Sequence, residues 1–170
     1  VAGFLPNIPE AIIAMLAAAS IGAIWSSSSP DFGIKSVTDR FSQIQPKIIF
    51  SASAYLYNGK SFSSIDKLQE IIKQLPTIEK VIIVDYLDTQ PDYSKITNSV
   101  GYNSLISNEP DPIDFEQVPF DHPLYVLYTS GTTGLPKSIV HGTGGTLVQH
   151  KKEFLLHCDV DREDIVFYFT

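Results

Sequence analysis

Two prolines, Pro46 and Pro76, each stop an apolar run of helical spacing, and a strand-like run follows each. Ile34, Val37, Phe41 and Ile44 recur with the 3.6-residue period up to Pro46, and Lys47-Ile48-Ile49-Phe50-Ser51 then reads as a strand. Ile65, Leu68, Ile71, Ile72 and Leu75 mark a second amphipathic helix up to Pro76, ahead of the strand Lys80-Val81-Ile82-Ile83-Val84-Asp85. A proline has no N–H to give and its ring clashes with the preceding turn, so neither helix can run on. The opening of the chain repeats the alternation. Val1–Leu5 is a short strand turned by Pro6-Asn7, and a helix follows from about Ile8 to Ile21. Asn7 and Glu10 read as its capping pair, Pro9 fits its first turn and Gly22 closes it. Its all-apolar character predicts a well-buried helix. Ala23–Ser26 is the next strand. Strands separated by helices of this length predict an α/β fold with a mostly parallel sheet and helices on both faces.

The rest of the chain divides into an irregular connection and a loop rich in chemistry. From Tyr86 to Pro123 proline, Asp, Asn and Ser dominate, and only Tyr102–Ile106 looks like a short helix. Glu109, Asp111, Asp114 and Glu116 form an acidic cluster without the ligand spacing of a calcium loop, so a solvated connection is the simpler reading. Order returns at Leu124–Tyr128, an apolar run that reads as a buried strand. It leads into Thr129-Ser130-Gly131-Thr132-Thr133-Gly134-Leu135-Pro136-Lys137. Gly131 and Gly134 remove side chains that would hold a bulky anion away, and they permit positive φ. Successive N–H groups in such a turn can form an anion nest. The hydroxyls of Thr129, Ser130, Thr132 and Thr133 add donors, and Lys137 adds a full charge. The set suits a polyphosphate. The common P-loop instead needs a glycine directly before its lysine and a helix after it, whereas here Pro136 precedes Lys137 and Ile139-Val140 suggests a strand. Beyond His141, a helix is predicted from about Thr146 to His157, and Ile165–Phe169 reads as a last strand.

Bulk properties narrow the partners. At 170 residues the chain fits one domain, and a net charge of −7 argues against a general nucleic-acid or anionic-membrane surface. An acidic protein still binds ATP where positive potential is local, as around Lys137. Cys158 is the lone cysteine and can form no internal disulfide, which fits a reducing cytoplasm. The apolar run Ala11–Trp25, broken by Ser20 and Gly22, is short for a bilayer span. The chain begins at Val1 inside an apolar run and stops at Thr170 after a strand-like one, so both ends look cut and a fragment is expected.

The loop Thr129–Lys137 resembles the phosphate-binding signature of the acyl-adenylate-forming superfamily. The flanks Val1–Gly33 and Ile139–Gly145 look most like its acetyl-CoA and acetoacetyl-CoA synthetase branch, and Trp25–Gly33 is similar to the acetoacetate-specific members. The resemblance implies a piece of the N-terminal domain of an ATP-dependent carboxylate–CoA ligase, with 1–85 as a βαβ-type half, 86–123 as a connection and 124–170 as the phosphate-loop segment. It further implies ATP, Mg2+ and CoA as substrates and cofactor, a short carboxylic acid as the other substrate, and the remainder of the chain as partner. Such enzymes join a carboxylate to ATP, release pyrophosphate, and let the CoA thiol displace AMP. The superfamily's adenine-binding segment, metal-holding glutamate and catalytic lysine all lie downstream of the loop, so no catalytic or metal residue is expected within these residues.

Other candidates are weaker. In the resembled acetyl-CoA synthetases, the loop that matches Tyr57-Asn58-Gly59-Lys60 carries two arginines that contact the phosphate end of CoA. Lys60 stands where one arginine would be and keeps the charge without the bidentate fork, while Tyr57 replaces the other and offers a ring for stacking. Read without the resemblance, the stretch is simply a turn. His141 reads as structural or as a proton carrier; His122, His150 and His157 show no metal spacing. Trp25 lines an acyl pocket or fills a core. Acetate and propionate remain rival acids, and a catalytically silent nucleotide-binding or interaction domain remains the rival of another class.

Overall fold

The computed structural model describes residues 1–87, 91–106, 112–129 and 134–167. Strand β1 (Ala2–Phe4) lies between β2 (Ser26–Ser28) and β3 (Ile48–Ala52), and the sheet continues through β6 (Lys80–Val84) to β7 (Ser99–Gly101). Between β3 and β6 the chain forms β4 (Ala54–Tyr57) and β5 (Lys60–Ser63). Every pairing in the five-stranded sheet is parallel, as the alternation of strands and helices predicts.

The strand order explains how both faces become covered. Helix α1 (Pro9–Ser20) carries the chain from β1 outward to β2. Helix α2 (Ile34–Ile44) brings it back across β1 to β3, and α3 (Ile65–Gln74) continues in that direction to β6. Right-handed crossovers that reverse direction must put α1 on one face and α2 with α3 on the other. The two-residue period of the strands then sorts the core. Ala2, Phe4, Ile49, Val81 and Ile83 pack with Val37 and Phe41 of α2 and Leu68 and Ile71 of α3. Leu5, Trp25, Ala52 and Val84 pack with Ala14 and Ala18 of α1. Each fully buried Phe, Leu or Ile here contributes roughly 1.5–3 kcal/mol relative to exposure.

Several expectations are corrected. The N-cap of α1 is Ile8, with Pro9 in the first turn and no side-chain capping bond, so Asn7 stands one residue too early to cap. The helix is not well buried: it covers the sheet with Ala14 and Ala18, while Ile12, Ile13 and Leu16 face outward. The strand predicted at Ala23–Ser26 starts only at Ser26, because Trp25 turns to bridge with Tyr125. The stretch after β3 is a hairpin, not an open loop: β4 and β5 pair antiparallel around Asn58-Gly59. Both turn residues have positive φ, 47° and 72°, the conformation of the tight turn that matches strand twist. Strand β7 appears inside the connection, where three residues carry no period to read. Residues 165–167 form no strand: among the described residues they pair with none, and Ile165 is 98% exposed, while residues 168 and 169 of that expected strand lie outside the described residues.

After the connection, β8 (Pro123–Thr129) and β9 (Lys137–Gly142) form an antiparallel ribbon, followed by α4 (Thr143–Lys152) and a wider helical turn over Glu153–His157. The strand expected after the loop is therefore present. Its partner is less buried than predicted, since only Val126 of β8 is buried while Leu127 is 47% exposed.

Candidate phosphate-binding site

The ribbon is tied to the parallel sheet through the segment that leads into β2. Trp25 N–H donates to Leu124 O, Val126 N–H donates to Trp25 O, and the buried Ser26 Oγ donates to Val126 O at 2.8 Å. The Trp25–Tyr125 bridge is parallel, so β8 runs the same way as β2. Residue Thr129, where β8 ends, therefore lies at the carboxyl end of the sheet, the end at which open α/β sheets bind ligands.

The register fixes what the loop presents at its base. Thr129 and Lys137 are direct cross-strand partners, as are Leu127 with Ile139 and Tyr125 with His141. Directly opposed residues share one face of an antiparallel pair, so Thr129 and Lys137 project from the same face of the ribbon. Both are exposed. His141 packs its ring 5.1 Å from that of Tyr125 on the same face, which accounts for it as a structural residue. His122 is also structural: its Nε2 lies 2.8 Å from Gly22 O and donates to it when protonated there.

Of the loop residues proposed from sequence, Ser130, Gly131, Thr132 and Thr133 lie outside the described residues, as do Glu109 and Asp111 of the acidic cluster. Gly134 is described and exposed. Among the described residues, a Cβ built there would meet nothing within 4 Å. Crowding by the described residues does not demand glycine at 134.

Helix α2 contacts the chain before and after residues 130–133. The Tyr128 hydroxyl donates to Arg40 O at 2.9 Å, and Gln43 Nε2 donates to Pro136 O at 2.9 Å. The Arg40 guanidinium lies 5.0 Å from the Phe32 ring centre and 5.8 Å from that of Tyr128, and it donates to Ser36 O. Burial pushes the Tyr128 phenol above its ordinary value, against a hydrogen bond with Ser26 and the Arg40 charge, so at neutral pH it is a donor. An open depression of about 490 Å³ lies between Gly134 and Pro136 on one side and Gly33, Lys35, Ser36, Asp39 and Arg40 on the other. Lys35 is paired with Asp39 at 2.6 Å, so Arg40 carries the unpaired charge of that wall among the described residues. Sequence reasoning missed Arg40, Gln43 and Tyr128. They sit 88 and 93 residues from their partners, a separation no local pattern announces.

The second candidate, Tyr57-Asn58-Gly59-Lys60, is the exposed tip of the β4–β5 hairpin, with Tyr57 and Lys60 paired across it. The hairpin base is held by Tyr55 stacked on Phe62 and by Lys67. Lys67 Nζ donates to Tyr55 Oη at 2.9 Å and to Pro30 O at 3.0 Å, which ties the hairpin to the β2–α2 link. Trp25 is core, 5% exposed and 6.3 Å from the Phe50 ring. Cys158 is exposed.

Among the described residues no group of three His, Cys, Asp or Glu side chains could hold a metal ion, and no helix is long and apolar enough to cross a membrane.

The profile of the family described as AMP-binding enzyme matches residues 1–169. Acetoacetyl-CoA synthetase of Macaca fascicularis is 52% identical across the whole chain, and acetoacetyl-coenzyme A synthetase of Rhizobium meliloti (strain 1021) is 47% identical. The chain spans 26% of the length of each. The solved structure of acetoacetyl-CoA synthetase from Streptomyces lividans superposes with a TM-score of 0.86 at 47% identity, over 94% of this chain and 24% of that one.

Proposed function

The chain belongs to the AMP-binding enzyme family, and from that premise we propose that it is one fragment of the nucleotide-binding domain of a cytoplasmic, AMP-forming acetoacetate–CoA ligase. Residues 1–85 serve as the sheet-bearing half, 86–123 as the connection and 124–170 as the phosphate-loop segment. The observation that carries the reading is the Thr129–Lys137 pair at the carboxyl end of the sheet, beneath a loop of the superfamily's signature. The whole-chain similarity to acetoacetyl-CoA synthetases supports acetoacetate over acetate or propionate as the acid.

In this reading the loop grips the β- and γ-phosphates of ATP and leaves the α-phosphorus open to in-line attack by the carboxylate. The oxygen between the α- and β-phosphorus takes the bonding electrons as pyrophosphate leaves. The Lys137 ammonium offsets that charge, and the hydroxyls of Thr129, Ser130, Thr132 and Thr133, with the amides at Gly131 and Gly134, donate to it. CoA then enters against the hairpin tip, with Lys60 near a phosphate and Tyr57 stacked on its adenine. Magnesium would be held largely by the phosphates of ATP and by the glutamate that the resemblance places downstream of the loop.

The test uses the full-length protein. A charge-assisted hydrogen bond is worth about 1.5–3 kcal/mol, so Lys137→Ala should slow acetoacetate-dependent ATP–pyrophosphate exchange by roughly one to two orders of magnitude. An unchanged exchange rate would remove the loop from the chemistry. Pyrophosphate release against acetoacetate, acetate and propionate decides the acid, and wild-type protein that releases none with any acid would favour a silent binding domain.

A further inference from the structure

Sequence marks the loop itself as the functional element, yet both of its shoulders lean on α2. Tyr128, directly before Thr129, donates to the backbone carbonyl of Arg40. Pro136, directly before Lys137, accepts from Gln43. These two contacts sit three residues apart on one helix, and they bracket the stretch that carries the phosphate donors. Gln43 makes its contact with both amide protons engaged, the second going to Asp39 O at 2.8 Å on its own helix. The reversed amide would set its oxygen against two carbonyl oxygens, so this orientation is the one the surroundings enforce.

We propose that α2 is the positioning element of the phosphate loop and that Gln43 is its positioning residue, fixing the loop's exit at Pro136 while Tyr128 on Arg40 fixes its entrance. Gln43 touches no substrate atom. It acts through the Pro136 carbonyl, and so through the direction in which Lys137 leaves the loop. The entrance is the sturdier anchor, since Tyr128 is also continuous with the ladder of β8. Among the described residues, the exit is held by Gln43 and the first pair of β9. A loop freed at its exit no longer fixes the direction of Lys137, which weakens the grip on a polyphosphate and leaves the acid and CoA steps alone.

The inference rests on the phosphate-gripping role of the loop, and the experiment separates the two. In the full-length protein, Gln43→Ala and Gln43→Glu both remove the donor, whereas Gln43→Lys keeps one. Loss of one hydrogen bond to a neutral acceptor corresponds to about five-fold. The KM for ATP should therefore rise by that order in Gln43→Ala and Gln43→Glu and return toward wild type in Gln43→Lys, with the KM for CoA and for the acid unchanged. Without ligand, amide hydrogen exchange should quicken in peptides containing Gly134–Lys137 for the first two variants only. ATP KM values within two-fold of wild type together with unchanged exchange would overturn the proposal. So would an equal fall in every kinetic parameter in all three variants. Gln43-dependent exchange protection in a wild-type protein that adenylates no acid would sink the ligase and uphold the positioning contact.

Discussion

At Gly3 a Cβ would stand 2.7 Å from two atoms of the Trp25 ring, closer than packed atoms can lie. The indole is buried among Leu5, Ala52 and Val84 and has nowhere to retreat. Gly3→Ala is therefore expected to cost about 1–3 kcal/mol, the usual penalty of an overfilled core, read as a lower denaturant midpoint. Tyr128 gives a second expectation. Its phenol holds its proton more tightly in the folded state, so the stability it contributes is complete below about pH 10, its unfolded value, and is lost as pH climbs through the higher folded value. Tyr128→Phe should cost about 1 kcal/mol at neutral pH, and the gap between the two proteins should close in alkali. Sequence could name the residues of the loop because glycine, hydroxyl and lysine crowd into one short stretch. It could not name Arg40, Gln43 or Tyr128, because their roles arise only when β8 is laid beside α2.

Elements with a strong period were legible and elements without one were not. Helix α2 runs from Ile34 to Ile44 as its apolar spacing requires, and Val37 and Phe41 reach the core from it. Helix α1 shows the limit of the same logic. Apolar residues all round a helix say that no side prefers water, but not which side meets the sheet; there the small residues Ala14 and Ala18 allow close approach. The hairpin was within reach and was missed. Asn58-Gly59 between Tyr57 and Lys60 is the strongest short signal for a tight two-residue turn, and the resemblance drew attention to charge there instead. Gly59 has φ of 72°, so Gly59→Ala should strain the turn by roughly 1 kcal/mol. Hydrogen exchange should quicken in β4 and β5 but not in β3 or β6, because the hairpin is a separate two-stranded sheet.

For the molecule as a whole, the parallel sheet was predictable because each crossover announces itself by a proline or glycine stop and a β-branched run. The β8–β9 ribbon was predictable as two strands, but not its attachment, which depends on Trp25 leaving β2 to bridge Tyr125. Residues 1–170 taken alone are expected to make no acyl-adenylate, since the adenine pocket and catalytic lysine that the resemblance implies are not among them. Calorimetry with pyrophosphate and a turnover assay with ATP check the binding and the chemistry separately. The same piece leaves Ile12, Ile13 and Leu16 on α1 and Leu127 and Ile139 on the ribbon exposed. Apolar surface of that kind favours association, so light scattering should show a mass that grows with concentration.

The pairing of Thr129 with Lys137 carries a consequence for how this region can change over time. Side chains along a strand alternate between two faces, so one residue inserted between Tyr125 and Tyr128 would turn Thr129 to the back of the ribbon, away from Lys137. Spelling in that stretch is free within the limits of packing, while its length is not.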